Sequence, residues 1–153
     1  MKKTTLLFVV LCALGIWPIL AQNDQGKSKS HPTRKADQHV AVNANEVHWM
    51  DAPPSLPPGA QFAVLAGNPG SPGLYTIRLK MPSGYKIPPH THPTAENVTV
   101  ISGAMSFGMG DRFDESAGKK IKAGGFASMP AGMKHFGWAS GPTVVQVHGA
   151  GPF

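Results

Sequence analysis

The sequence predicts an all-β domain of the sandwich or barrel type. Three observations carry that prediction: a series of short apolar or alternating runs, Gly, Pro and Asp between those runs, and no long amphipathic period. Gly 18 and Pro 15 in 153 residues, against 14% charged residues, call for many turns and short strands rather than a helical bundle. The length fits one domain with a real core and is too short for two.

The elements follow in chain order. Lys2 and Lys3 precede an apolar run from Leu6 to Leu20, and Ala21 supplies a small residue before Gln22, so residues 1–21 read as a secretory signal peptide. Pro18 and a span shorter than the ~20 apolar residues a bilayer needs favour cleavage over an uncleaved anchor. After cleavage no stable membrane anchor is expected, and export to a periplasm or the extracellular space follows. Cys12, the single cysteine, lies in the apolar run behind Leu11, where a lipoprotein signal would carry a small residue. The mature chain then has no thiol, which excludes disulfides and cysteine catalysis and leaves histidine and carboxylate as metal ligands.

Residues 22–45 are polar with almost no large apolar side chains, the composition of a disordered linker. Loss of Lys2 and Lys3 lowers the formal charge from +6 to +4, and much of the rest sits in Lys27, Lys29, Arg34 and Lys35. That basicity lacks interleaved aromatics, so no nucleic-acid partner is expected. Residues 46–60 (EVHWMDAPPSLPPGA) hold Trp49 and Leu56 among four prolines, which suits an extended arm over the surface of the domain. His31, His39 and His48 have no partner at ligand spacing and read as solvated side chains.

From Gln61 to the end, residues 61–153 form the folded domain. Its runs are FAVLAG (62–67), LYTIRLKM (74–81), ENVTVIS (96–102), AMSFGMG (104–110), GGFASM (124–129), HFGWA (135–139) and TVVQVH (143–148). Seven strands at this spacing make a sandwich or barrel. Two Gly-to-His segments, near residues 84 and 124, look like corresponding halves.

The chemistry gathers around four residues. The run PPHTHP (88–93) ends a strand on which pleating turns His90 and His92 to one side. Glu96 opens the next strand and shares a face with Val98, Val100 and Ser102. Pro88, Pro89 and Pro93 stiffen the segment and lack N–H groups. Pro130-Ala131-Gly132 is a turn signal that delivers a third imidazole, His135, on a later strand.

These residues carry a family resemblance. Gly84, five residues, His90-x-His92, three residues, Glu96, six residues and Gly103 resemble the first cupin motif; Gly124, five residues, Pro130-x-Gly132, two residues and His135 resemble the second. The second departs only at Ala139, where asparagine is usual. The resemblance covers about half of the mature chain and implies an antiparallel jelly-roll (cupin) β-barrel with one metal ion inside it, held by His90, His92, Glu96 and His135. Cupins of this size are often homodimers joined through sheet edges. Three imidazoles and a carboxylate suit one divalent transition metal ion, and Mn, Fe, Co, Ni, Cu and Zn all remain open.

Around the site, Met105, Phe107 and Met109 share one strand face and Val98 and Val100 another, which gives an apolar interior. Phe136 and Trp138 alternate with His135 and should pack against the arm near Trp49. On the last strand, Gln146 and His148 oppose Val145 and Val147; inward, they would be polar neighbours of the ligands, and outward they would be solvated. Arg78 could clamp a carboxylate if inward, although solvent exposure suits an unpaired charge better. Asp111, Asp114 and Glu115 fall in a hairpin loop, so paired-carboxylate hydrolysis is unsupported. Two functions fit: an exported cupin that binds metal, with a small-molecule ligand or none, or a metal-dependent dioxygenase, decarboxylase, isomerase or lyase acting on a small oxygenated substrate.

Overall fold

Alternating burial along the strands builds two facing antiparallel sheets. The structure, a computed structural model, describes residues 39–153. The expected signal peptide at 1–21, Cys12, His31 and most of the 22–45 linker lie outside the described residues.

The first sheet contains β1 (Met50–Asp51), β2 (Gln61–Ala66), β3 (Gly73–Met81), β5 (Glu96–Ser102), β8 (Phe126–Met129) and β10 (Thr143–Gly151). The second contains β4 (Lys86–His90), β6 (Ala104–Met109), β7 (Lys119–Lys122) and β9 (His135–Ala139). Their orders are β1-β2-β3-β10-β5-β8 and β4-β9-β6-β7. The chain crosses between sheets at β3–β4, β4–β5, β5–β6, β7–β8, β8–β9 and β9–β10, which is the jelly-roll pattern that the family resemblance implied.

Period-two patterning decides what lies between the sheets. On β3, Tyr75, Ile77, Leu79 and Met81 are buried while Leu74 and Lys80 are exposed. These pack in one core with Val98, Val100, Val145 and Val147 of the same sheet and with Ile87, Met105 and Phe107 of the other. Met109 is on the same strand face as Met105 and Phe107, but it is the last residue of β6 and is 49% exposed, so it stays out of the core that the sequence led us to expect it to join.

Two short strands escaped the sequence patterning. The run KKIK in β7 has one apolar residue, and it pairs at the edge of its sheet with β6, where lysines discourage further strand addition. Within the arm at 46–60, Met50 and Asp51 pair with Phe62 and Gln61, Val47 is buried, and Leu56 packs against the core. The Tyr85 hydroxyl donates to the carbonyl of Pro57 and ties the arm down. A 3-10 turn at Ala44–Glu46 spans the boundary drawn between linker and arm.

Trp49 corrects an expectation. It lies beneath the Lys80 ammonium, 5.3 Å from its ring centroid, and not against Phe136 and Trp138. Those two face outward from the second sheet as predicted, but Phe113 of the β6–β7 connection covers them, with ring centroids at 5.0 and 5.6 Å. Gly108, paired with Phe136, leaves room for that ring; a methyl group there would collide with it.

Candidate metal centre

Four side chains from both sheets and one connection converge at one end of the core. His90 ends β4, His135 opens β9, Glu96 opens β5 on the opposite sheet, and His92 lies in the β4–β5 connection. One ligand atom from each lies within 4.8 Å of all the others. His92 was expected to share a pleated face with His90, yet β4 stops at His90 and the backbone that follows is irregular. The two rings still approach edge to face, with centroids 4.8 Å apart.

Proline brings His90 to its place. On β4, Lys86 and Ile87 pair with Trp138 and Gly137, and the register then slips between Ile87 and His90. Pro88 and Pro89 cannot donate to the ladder there. The slip sets His90 opposite His135, and their rings lie 4.3 Å apart. An unbroken register would have offered Lys134 to His90 instead.

The turn before His135 is held in a similar way. Gly132 has φ +73°, which favours glycine, and its N–H donates to the carbonyl of His92 at 2.8 Å. One hydrogen bond therefore joins the two segments that carry His92 and His135.

Hydrogen bonding fixes the tautomers. His90 Nδ1 is 2.8 Å from the carbonyl oxygen of Pro88, and His135 Nδ1 is 2.9 Å from that of Met133. A carbonyl only accepts, so each Nδ1 carries a proton, and in the neutral ring each Nε2 keeps its lone pair for a metal ion. Glu96 Oε2 then sits 2.9 Å from His135 Nε2 and 3.8 Å from His92 Nε2.

This environment moves two pKa values in opposite directions. Burial is the largest influence on both imidazoles. For His92, burial, helped by the neighbouring His90 and His135, outweighs Glu96 and pulls the value down to about 4. At His135, burial also lowers the value, but the bond to Glu96, the Met133 carbonyl and the carboxylate charge together raise it above 6.5.

The donor set fits a metal ion. Ligand bonds of about 2.1 Å place any two ligand atoms at most about 4.2 Å apart, so the widest pair needs to close by about half an ångström. The close approach of a lone-pair Nε2 to a carboxylate oxygen also calls for a cation between or on them.

The surroundings are mostly apolar. Leu79, Ile87, Val98, Met105, Phe107, Val145 and Val147 back the cluster. On the open side a cavity of about 520 Å³ reaches His90, His92 and Glu96, and Leu56, Phe62, Ile77 and Phe153 wall it. The Phe153 ring stacks on His92 at 3.8 Å, with 13° between the planes. Sequence reasoning missed Phe153, since nothing local links it to a histidine on another segment.

The remaining candidates fall outside the centre. Val145 and Val147 are 1% exposed and point inward, which turns Gln146 and His148 to the outer face of the first sheet. Arg78 is on that face too, and its Nε donates to Gln146 Oε1 at 3.2 Å. Neither Arg78 nor His148 belongs to the cluster of His90, His92, Glu96 and His135. Glu115 bonds Lys86 at 2.8 Å and Asp111 approaches Lys134 at 3.6 Å, both as exposed pairs. His39 and His48 are exposed.

Comparison with known proteins agrees with the fold. The family described as the ChrR cupin-like domain matches residues 37–153. Germin-like protein 9-3 of rice (Oryza sativa subsp. japonica) is 35% identical over 83 residues, which cover 54% of this chain and 37% of that protein. The chain thus spans little more than a third of the length of that curated relative. Among solved structures, KdgF from Halomonas sp. superposes with a TM-score of 0.57 at 21% identity, over 74% of this chain and 94% of that one. The polyketide cyclase RemF from Streptomyces resistomycificus does so at 0.57 and 17%, over 74% and 80%. At these identities the likeness is one of fold.

Proposed function

The chain belongs to the ChrR cupin-like domain family, and from that premise we propose that it is an exported protein holding one divalent transition metal ion on His90, His92, Glu96 and His135. The observation that carries this reading is the pairing of Nδ1 on His90 and His135 with backbone carbonyls, which leaves Nε2 of both rings for the cluster they share with His92 and Glu96. An imidazole fixed in that tautomer is a preformed ligand. The ligand set suits Mn, Fe, Co, Ni, Cu or Zn.

Export rests on Lys2 and Lys3 ahead of the 6–20 apolar run and on Ala21 before Gln22. A homodimer joined through a sheet edge belongs to the same proposal, and light scattering tests it.

A second reading, catalysis on a small oxygenated substrate, is favoured by one observation: the cavity of about 520 Å³ opens onto His90, His92 and Glu96. It is in the size range of small-molecule sites and its walls are largely apolar. Bound there, the ion would supply a Lewis acid. The chain's own part is to hold imidazole nitrogens in the ligand tautomer, keep bulk water from the inner wall, and admit substrate from the Leu56 and Phe62 side.

Elemental analysis of the protein from its own compartment, followed by absorption or EPR titration with phenols and small carboxylates, tests both readings. About one equivalent of a transition metal supports the first, and a spectrum that responds to added ligands supports the second. A metal-free protein that takes up no divalent ion refutes the first. Closed-shell zinc indifferent to every ligand refutes the second.

A further inference from the structure

We propose that Phe153 is the positioning residue for His92, setting the plane of this ligand's ring by stacking where the other two histidines use hydrogen bonds. The inference rests on the metal-site reading above. Nδ1 of His90 and of His135 are each held by a carbonyl, whereas the His92 ring has no hydrogen bond among the described residues, and Glu96 Oε2 stands 3.8 Å from its Nε2. The His92 backbone is secured by Gly132, but that bond leaves χ2 free.

The Phe153 ring supplies the missing restraint. It lies 3.8 Å from the imidazole at 13°, so turning His92 about χ2 drives a ring edge into the phenyl face. Phe153 is itself anchored. Its N–H donates to the Pro69 carbonyl at 2.7 Å, and its ring packs 5.0 Å from Tyr75, which is 2% exposed. A chain of contacts thus runs from the β2–β3 loop through Phe153 to His92. Outer contacts that orient a metal ligand typically matter by about ten- to a hundredfold in metal affinity.

The test uses the full-length protein and two readouts. In the metal-free protein, NMR should find the His92 ring protons shifted upfield by the phenyl ring, and Phe153→Leu should abolish that shift. In Co(II) titrations against a chelator, Phe153→Leu should weaken affinity by about tenfold and alter the d–d spectrum. Phe153→Tyr, which keeps the aromatic face, should restore both. Should the leucine variant melt too low for titration, Phe153→Met takes its place.

Loss of core packing alone would lower the melting temperature without the tyrosine rescue of the cobalt spectrum. A leucine variant with wild-type cobalt affinity and spectrum overturns the positioning role and leaves the metal site standing. Wild-type protein that shows the upfield shift but takes up no metal overturns the metal site, and the role with it. Absence of the shift in wild-type protein overturns the stack whatever the metal does.

Discussion

Glu96 Oε2 lies 2.9 Å from His135 Nε2 while the opposite nitrogen of the same ring is committed to the Met133 carbonyl. A neutral imidazole so bonded turns a lone pair toward a carboxylate, an arrangement that only a cation relieves. In the metal-free protein a proton on His135 can fill that role, and the bond to Glu96 is one of the influences that raise the pKa of His135. In the loaded protein the proposed ion takes its place, and binding releases the proton. On the proposed function, proton and metal ion compete for one nitrogen, and pH sets the balance between them.

Removal of a ligand should empty the site. His92→Ala is expected to lose most of its metal and to forfeit the rise in melting temperature that metal confers, as read by elemental analysis and calorimetry. Unchanged metal content would refute the assignment of His92.

The metal-free protein should be most stable near pH 6.5. His135 binds its proton more tightly folded than unfolded, so its contribution is complete below about 6.5 and is lost as pH rises through its raised value. His92, lowered to about 4, works the other way: between 6.5 and 4 the unfolded chain binds more protons and stability falls with falling pH. Melting scans in chelator should show Glu96→Gln flattening the alkaline limb and His92→Asn flattening the acid limb. Wild-type slopes in both variants would rule out these two groups as the source.

Arg78→Ala and His148→Ala should leave metal content unchanged, because both side chains are on the outer face of the first sheet. Loss of the Arg78–Gln146 bond should cost no more than about 1 kcal/mol in denaturant unfolding. A drop in metal occupancy would contradict the orientation of β3 in the first variant and of β10 in the second.

Phe113→Ala separates stability from the site. It uncovers Phe136 and Trp138 on the side of the second sheet away from the ligands, and a half-buried aromatic there should be worth about 2 kcal/mol. Metal affinity should not change; a parallel loss of both would mean that the two faces are coupled.

Gly103→Ala should destabilise the β5–β6 turn by more than about 1 kcal/mol. Gly103 has φ +77°, and a methyl group there would run into the Pro142 carbonyl. A melting temperature equal to wild type would show that the turn relaxes freely.

The ligand types, the turn glycines and the strand alternation were all legible in the sequence, because each depends on residues a few positions apart. Strands β1 and β7 were not, since one is two residues long and the other is lysine-rich. Alternation alone also left both faces of β10 open. Only the packing of Val145 and Val147 into the core turned Gln146, His148 and the paired Arg78 outward.

The sequence by itself determined that three histidines and a glutamate were available at spacings a cupin uses, and that glycine and proline would punctuate the strands carrying them. Tertiary structure alone decided how they meet. The register slip at Pro88 and Pro89 sets His90 opposite His135, the facing sheet brings Glu96 against His135, and Phe153 reaches His92 from a distant segment. Sequence periodicity reports which residues share a face. Register and sheet packing determine which faces meet, and those depend on contacts between residues far apart in the chain.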